Sequence, residues 1–264
     1  MLEDTEIRLY CFSCGTLKSQ KQLFTQGRGI GEPFEVPVPF FLIEHPKGRV
    51  LFDTGNALNV AENAEKHWGN ATSAYWPNMR PEDFVVQQLQ SINISPDSID
   101  YVVLSHLHLD HAGGVAHFPN ARHVVQREEL HWAYFPDFYQ RAAYIRKDFD
   151  HPLDWLILDG WHDDGFDLFG DKSLMIWFSP GHTPGHQSLK LNLKKTGTLI
   201  LTGDSCYTEE LLDEDILPGL LWSPTDTIRS IRRLREARRN GVWIVTGHDP
   251  DAFSKMKLAP AFYD

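Results

Sequence analysis

The sequence is organised around residues 105–111, which read SHLHLDH. The preceding run 101–104, YVVL, is β-branched and apolar, as a buried strand is. Two adjacent glycines follow at positions 113 and 114, and they let the backbone pass close to a neighbouring group. The stretch is therefore predicted to leave a strand and enter a turn, which is the structural context that a ligand-bearing loop needs.

Four ligand-type residues stand within this loop: His106, His108, Asp110 and His111. His106 and His108 are two residues apart and point the same way on an extended chain, whereas Asp110 and His111 follow the bend. Neutral imidazole and carboxylate are the ordinary ligands of zinc and other first-row metals. A polar loop with scattered histidines is the alternative interpretation, but this density of ligands favours a loop that serves two adjacent metal ions.

Composition is typical of a globular soluble protein. The 264 residues are 42% hydrophobic and 23% charged, and one domain over residues 1–264 is the economical interpretation. A net charge of −11 and a pI of about 5.6 oppose nucleic acid or an anionic membrane as the main partner. The acidic N-terminus is no secretory signal, and no stretch approaches the roughly 20 apolar residues of a membrane span. We therefore expect a cytoplasmic protein.

Two of the three cysteines, Cys11 and Cys14, form a C-x-x-C pattern. This pattern can indicate zinc binding or redox chemistry. A structural zinc site requires a second pair, and Cys206 stands alone. We expect ordinary reduced thiols.

Strand-like and helix-like segments are mixed along the chain, which indicates an α/β fold. Residues 13–39, rich in glycine and proline, are expected to form a loop, and residues 56–80 show no clear period. A helix is expected to open at Pro81, and another to span residues 224–239. Predicted strands span residues 7–12, 40–44, 49–53, 101–104, 122–125, 174–178, 188–193, 198–202 and 242–245.

Two segments carry an unusual composition. Residues 126–172 are rich in aromatic side chains, from His131 and Trp132 to Trp155 and Trp161, with polar residues interleaved. We interpret them as an insertion that packs over the metal loop and forms part of a pocket wall, with plain core packing as the alternative. The helix 224–239 carries six arginines, which are expected to form a solvated face rather than a nucleic-acid surface.

Further ligand-type residues follow the ends of other predicted strands: Asp53, His182, Asp204 and His248. In layered α/β folds, functional sites gather at one edge of the sheets, where the loops that leave the strands converge. We expect these residues to meet the 105–111 loop in one cavity.

The arrangement resembles the metallo-β-lactamase superfamily, from the Asp53-Thr54-Gly55 turn to His248. The signature H-x-H-x-D-H at 106–111 is specific, and three later pairs follow in the expected order: Gly181-His182, Gly203-Asp204 and Gly247-His248. The resemblance implies an αββα sandwich with a dinuclear metal centre in a cleft at one sheet edge.

The resemblance also implies a role for each ligand residue. His106, His108 and His182 would hold the first ion, Asp110, His111 and His248 would hold the second, and Asp204 would bridge them. The two ions are expected to be divalent, with zinc favoured and iron, cobalt or manganese left open. Asp53 would either accept a hydrogen bond from a ligand histidine or cap a turn.

Within the superfamily the chain looks most like the N-acyl homoserine lactone lactonases, the quorum-quenching enzymes. Three features carry this likeness: the interval from His111 to His182, the segment SPGHTPGHQS at 179–188, and Tyr207 three residues after Asp204. The resemblance implies that a metal-bridging hydroxide opens the lactone ring of N-acyl homoserine lactones. Tyr207 would stabilise the oxyanion, and Asp110 would protonate the leaving oxygen.

Several alternatives stay open. A related esterase or phosphotriesterase could use the same metals, and a non-catalytic metal-binding or sensing module would need neither Tyr207 nor an open coordination position. The acyl chain is expected to lie in a groove lined by the aromatics of 131–161 and by Phe40 and Phe41. The loop predicted at 13–39 could mediate a homodimer.

Overall fold

Two β-sheets packed face to face form the centre of the molecule, and helices cover their outer faces. The computed structural model describes residues 6–160 and 165–264. The strands in these ranges are β1 Arg8–Gln20, β2 Pro33–His45, β3 Gly48–Phe52, β4 Trp76–Asn78, β5 Tyr101–Val103, β6 Arg122–Gln126, β7 Asp154–Leu158, β8 Phe166–Asp167, β9 Leu174–Phe178, β10 Gln187–Leu193, β11 Gly197–Leu201, β12 Trp243–Val245 and β13 Phe262–Tyr263. The α-helices are α1 Leu58–Trp68, α2 Val85–Ser91, α3 Arg127–Tyr134, α4 Arg146–Phe149, α5 Glu209–Asp213, α6 Pro224–Arg239 and α7 Pro250–Phe253. The expected αββα sandwich is confirmed.

The strand order explains where the loops meet. The first sheet runs β13-β1-β2-β3-β5-β6-β7, with β4 paired to β1, and the second runs β12-β11-β10-β9-β8. β3, β5 and β6 are parallel neighbours, so their carboxyl ends lie at the same edge. In the second sheet β9, β11 and β12 share one direction, because β10 is antiparallel to both β9 and β11, and β11 is parallel to β12.

Alternation along each strand builds two apolar layers. On β2, Phe41 and Ile43 are buried between the sheets, whereas Phe40 and Leu42 face the layer that the helices cover. The second sheet contributes Leu189 and Leu201 to the layer between the sheets. The core is therefore continuous beneath the edge that carries the ligand loops.

The predicted strands are all present, but the loop predicted at 13–39 is wrong. β1 continues to Gln20 and β2 begins at Pro33, so the connection is confined to 21–32 and begins with a 3₁₀ turn at Lys21–Leu23. There Gly27, Gly29 and Gly31 adopt positive φ angles, which glycine allows. β3 pairs only with residues 41–45 of β2, so the start of β2 pairs with β1 alone. The prolines of β2 lie in this one-sided part, which faces a bulge in β1 between Ser13 and Thr16, and the missing N–H groups are tolerated there.

The helical predictions have mixed outcomes. Residues 56–80, which show no clear period in the sequence, contain α1, and the helix expected at Pro81 is a short 3₁₀ turn followed by α2. The helix at 224–239 is confirmed as α6, with the Ser223 hydroxyl accepting a hydrogen bond from the Asp226 backbone N–H at 3.2 Å.

The solvated arginine face expected on α6 is only partly present. The guanidinium groups of Arg235 and Arg238 bind Asp215 and Asp213, each at 2.7 Å, and Arg233 donates to the Phe178 carbonyl. Arg235 and Arg238 therefore join α6 to the 213–215 segment, and Arg233 joins it to the end of β9.

Cys11, Cys14 and Cys206 are buried free thiols, as expected. Burial raises the pKa of Cys14 to about 12, so this thiol stays protonated at neutral pH. Across residues 6–160 and 165–264, no helix has both the length and the hydropathy needed to cross a membrane.

Candidate metal centre

The loops that leave five strands converge at one edge of the sandwich. Asp53 follows β3, and the 105–111 loop follows β5. In the second sheet His182, Asp204 and His248 follow β9, β11 and β12. All the ligand residues expected from the sequence are brought together here, and each is at most 7% exposed.

Three imidazoles form a first cluster, consisting of His106, His108 and His182. The Nε2 atom of His182 lies 3.1 Å from His106 Nε2 and 2.9 Å from His108 Nδ1. His106 and His108 lie side by side because they alternate on the extended start of the loop. The cluster therefore points three nitrogen atoms at one small volume.

Asp110, His111 and His248 form the second cluster. The Oδ2 atom of Asp110 lies 3.6 Å from the Nε2 atoms of both His111 and His248. The chain bends after His108, as the hydrogen bond from the His111 N–H to the His108 carbonyl indicates, so this pair approaches from another side.

Asp204 joins the two clusters through its two carboxylate oxygens. Oδ2 lies 3.3 Å from His182 Nε2 in the first cluster. Oδ1 lies 3.1 Å from His111 Nε2 and 3.0 Å from His248 Nε2 in the second. One oxygen per cluster is the arrangement that a bridging carboxylate requires.

The donor set fits a pair of metal ions. Around a tetrahedral zinc with bonds of about 2.0–2.1 Å, neighbouring ligand atoms are ~3.3–3.4 Å apart, close to the separations found here. Buried polar atoms are normally hydrogen-bonded. His111 Nε2 and Asp204 Oδ1 lie 3.1 Å apart, yet neither is aligned for a hydrogen bond with the other or with any other group among the described residues. Both atoms face the space between the clusters, and a cation there would satisfy them.

The electrostatics of the two clusters differ. Burial, followed by the neighbouring imidazoles, holds the pKa of His106 and His108 well below the usual range. Burial also acts to lower the pKa of His111, but the carboxylates of Asp204, Asp110 and Asp53 outweigh it and raise the pKa well above the usual range. The carboxylates are therefore concentrated on the second cluster.

Asp53 holds the metal loop rather than only capping a turn. Its Oδ1 accepts the Ser105 N–H at 2.7 Å, and its Oδ2 accepts the Ser105 hydroxyl at 2.8 Å and His111 Nδ1–H at 2.9 Å. Its backbone adopts the left-handed φ of 59°. The carboxylate thus orients His111 with Nε2 toward the cluster.

Tyr207 lies beside the first cluster, with its hydroxyl 3.0 Å from His182 Nδ1. Burial, followed by the Asp204 carboxylate, raises the pKa of this phenol well above its usual value, so it keeps its proton at neutral pH. If His182 presents Nε2 to a metal, its Nδ1 carries hydrogen and the Tyr207 oxygen accepts it. The Tyr207 proton is then free to be donated into the cavity.

A small cavity opens over the two clusters. Its wall beyond the ligands and Tyr207 is mostly apolar: Leu17, Phe24, Tyr75, Leu109, Ala143 and Leu220. The groove predicted from the sequence is largely wrong, because Phe40 and Phe41 are buried in the core and Phe135 and Phe138 are more than 80% exposed. Trp161 lies outside the described residues.

The expected insertion does pack against the metal loop. The Ala143 carbonyl accepts the Leu109 N–H at 2.9 Å, and the Gln140 amide donates to the His182 carbonyl at 2.8 Å. Of the aromatic residues in this segment, Tyr144 stands 4.5 Å from the His108 ring, centroid to centroid. Among the described residues of the segment 126–172, Ala143 is the one that lines the cavity.

Sequence reasoning missed residues that support the ligands from behind. The imidazole of His186 accepts the Asp204 N–H at 3.0 Å, so its Nε2 is unprotonated and its Nδ1–H can donate to Ser179. Glu129 is fully buried and accepts the Leu107 N–H. Glu129 and Ala133 are four positions apart and therefore lie on the same face of α3. A charged residue on a helical face that also carries a small apolar residue is the signal that could have indicated Glu129.

Comparisons with known proteins agree with this geometry. Residues 34–248 match the family model described as the metallo-beta-lactamase superfamily. The chain is 48% identical to the N-acyl homoserine lactonase AttM of Azorhizobium caulinodans, over 98% of this chain and 100% of that protein. It is 30% identical to the N-acyl homoserine lactonase AiiA of Bacillus thuringiensis subsp. kurstaki, over 88% and 89% of the two chains.

Among solved structures, the fold matches an N-acyl homoserine lactone hydrolase that has its product, N-hexanoyl-L-homoserine, bound at the catalytic metal centre. The TM-score is 0.88 at 28% sequence identity, and the match covers 98% of this chain and 100% of that one.

Proposed function

The chain belongs to the metallo-β-lactamase superfamily and, within it, to the N-acyl homoserine lactonases, and from this membership we propose how its residues open a lactone ring. The protein is a metal-dependent hydrolase of N-acyl homoserine lactones, a quorum-quenching activity. The observation that carries the proposal is the Asp204 carboxylate, which joins two ligand clusters at the floor of a mostly apolar cavity.

Two metal ions belong to this site, and we propose which residues hold them. His106, His108 and His182 hold the first and Asp110, His111 and His248 hold the second, with Asp204 shared. Imidazole and carboxylate ligands favour zinc, while iron, cobalt and manganese also accept such ligands. When bound, the two ions lower the pKa of water toward neutrality and polarise a carbonyl oxygen.

Tyr207 is proposed to stabilise the negative charge that develops on the lactone carbonyl oxygen. Its buried hydroxyl keeps its proton, and the contact with His182 fixes its direction. A preorganised donor of this kind is typically worth about 3–4 kcal/mol in the transition state.

Asp110 is proposed to deliver a proton to the leaving ring oxygen. It lies in the cavity wall, and its Oδ2 atom faces the second cluster at 3.6 Å from His111 and His248. A carboxylate that would use one oxygen as a ligand keeps its other oxygen for proton transfer. That oxygen takes up the proton that the attacking water oxygen loses and passes it to the ring oxygen, so the C–O bond breaks to give an alcohol and a carboxylate.

The acyl chain is proposed to lie against Leu17, Phe24 and Leu220. These side chains offer apolar surface that excludes water beside the clusters. Phe24 also packs edge-on against Tyr207, with ring centroids 5.3 Å apart, so chain binding and oxyanion stabilisation share one wall.

Turnover of a graded series of N-acyl homoserine lactones tests the proposal, with a phosphotriester and a β-lactam beside it. We expect lactone hydrolysis, followed by pH-stat, that a chelator abolishes and added metal restores. Preferential turnover of the phosphotriester would instead support the related esterase or phosphotriesterase alternative. Metal binding without turnover of any ester would support a sensing module.

We further propose that residues 1–264 form one domain, because both sheets share a continuous apolar layer. Homodimer formation and a cytoplasmic location stay predictions.

A further inference from the structure

Glu129 on α3 is a fully buried carboxylate, and within the described ranges it forms no ion pair. Four neutral donors surround it instead. The Leu107 N–H and the Tyr144 hydroxyl donate to Oε1, each at 2.9 Å, and the Thr183 hydroxyl donates to Oε2 at 2.5 Å. The Gly185 backbone donates as well. A buried charge is costly unless its hydrogen bonds are satisfied, so this arrangement needs an explanation.

The donors come from the two loops that carry the first cluster. Leu107 stands between His106 and His108, and Thr183 follows His182. Gly185 belongs to the same second loop, and its backbone lies so close to α3 that an added Cβ would be 2.1 Å from the Glu129 nitrogen. One carboxylate therefore fixes both loops relative to each other.

Tyr144 extends this anchor to a ligand ring. Its hydroxyl binds Glu129, and its ring packs edge-on against the imidazole of His108 at 4.5 Å and 71°. The position of Glu129 thus sets the direction of the His108 ring as well as the backbone beside it. By contrast, among the described residues the Glu129 carboxylate forms no hydrogen bond with a residue of the second cluster.

The backbone donors favour a carboxylate as the acceptor. Backbone N–H groups cannot reverse their role, and a carboxylate offers acceptor positions on both oxygens. A glutamine of nearly the same shape would replace one oxygen by an NH₂ group. The Tyr144 and Thr183 hydroxyls can accept from this group. The NH₂ group cannot, however, accept from the backbone N–H groups of Leu107 and Gly185. Burial raises the pKa of the Glu129 carboxyl, while the hydrogen bonds from Thr183, Leu107, Tyr144 and Gly185 oppose this shift.

We propose that Glu129 is a positioning residue of the metal centre, which holds the His106–His108 strand end and the His182 loop at the separation that the first metal ion needs. This inference rests on the metal centre proposed above, but not on its substrate. Residues that orient metal ligands typically contribute about 10–100-fold to metal affinity, and Glu129 is expected to act in this range.

The test compares Glu129→Gln with Glu128→Gln in the full chain. Glu128 is the exposed neighbour on the same helix turn, so both variants lose one negative charge at almost the same place. After chelator treatment, each protein is titrated with Co²⁺ against a competing chelator, and the d–d absorption spectrum is recorded.

For Glu129→Gln we expect one of the two Co²⁺ ions to bind about 10–100-fold more weakly, with an altered d–d spectrum, while the other ion is unaffected. Glu128→Gln is expected to match the wild type. Excess Co²⁺ should restore kcat in Glu129→Gln, because the residue does not touch the substrate. Wild-type affinity and an unchanged spectrum in Glu129→Gln would overturn the inference.

Folding is monitored through the melting temperature of the metal-free proteins. If Glu129→Gln does not fold, Thr183→Val and Tyr144→Phe each remove one donor at nearly constant volume. Both should weaken the same Co²⁺ ion by a smaller factor, and wild-type affinity in both would also overturn the inference. A wild type that binds two Co²⁺ ions but hydrolyses no lactone would refute the proposed function alone, since the cobalt titrations do not depend on it.

Discussion

The two ligand clusters are held by different parts of the fold. In the second cluster, His111 Nδ1–H binds the Asp53 carboxylate and His248 Nδ1–H binds the Pro37 carbonyl at 2.7 Å, so both imidazoles are anchored to the first sheet. The first cluster depends on the segment 127–144, whose Glu129 and Gln140 hold the backbones beside its histidines.

This difference indicates how each cluster keeps its geometry. A carboxylate or carbonyl on ligand Nδ1 fixes the tautomer and the ring direction directly. The Nδ1 atom of His182 contacts the Tyr207 hydroxyl at 3.0 Å and the Leu220 carbonyl at 3.3 Å, so the direction of this ring depends more on how the loops are held. The second cluster is therefore set by a carboxylate and a carbonyl that bind its imidazoles. In the first cluster His106 Nδ1 contacts the Ser105 hydroxyl at 2.9 Å. Glu129 and Gln140 hold the loops of this cluster.

Asp204→Ala should have the largest effect, because this residue is shared by both clusters. Removing it leaves five imidazoles and the Asp110 carboxylate without their common ligand, so we expect loss of both ions and a fall in kcat/KM of at least about 10³-fold. Elemental analysis of the purified variant measures the metal content. A variant that retains two ions would show that the clusters are independent.

Tyr207→Phe should lower kcat by about 10²–10³-fold while both ions remain bound, since the phenol is a donor to the oxyanion and not a ligand. Steady-state kinetics and elemental analysis on the same preparation check this. An unchanged kcat would remove Tyr207 from the mechanism. A loss of one ion would instead mean that the contact with His182 Nδ1 supports the first cluster.

Asp53→Asn should weaken one ion by about 10–100-fold, and this should be a different ion from the one that Glu129→Gln weakens. The amide can present only one oxygen, whereas Asp53 serves Ser105 and His111 with two. Cobalt titration of both variants and of the double variant measures the effect. If both substitutions weaken the same ion, the division of the two clusters between separate supports is wrong.

The sequence predicted which side chains meet at the site, because each follows a strand end and parallel strands bring such positions to one edge. The supports were harder to predict. Glu129 is distant in sequence from Leu107 and Thr183, and only the folded chain brings their donors to one carboxylate. The β1–β2 hairpin was missed because its prolines are typical of loops, and one-sided pairing that tolerates them is a tertiary property.

The cavity wall was predicted incorrectly for a related reason. Aromatic content alone indicated the segment 131–161, but Phe135 and Phe138 point to solvent. The apolar wall comes instead from the side of the first sheet, through Leu17 on β1 and Phe24 after it. Composition indicates how much apolar surface a segment has, whereas the direction of each side chain depends on pairing and packing.

Leu17→Phe should have the smallest effect and should change selectivity rather than chemistry. Leu17 lines the cavity with an apolar side chain that forms no hydrogen bond to a ligand residue. A phenylalanine ring at this position is larger and therefore narrows the acyl site only. We expect kcat/KM for a dodecanoyl substrate to fall by about 10-fold, with the butanoyl substrate nearly unchanged, because a misfit of one or two methylenes is worth about 1–3 kcal/mol. Leu17→Met, which conserves volume, is the matched control, and its chain-length profile should follow the wild type. An equal loss for both substrates in Leu17→Phe would mean that the wall on the first sheet acts on the metal clusters instead of on the acyl chain.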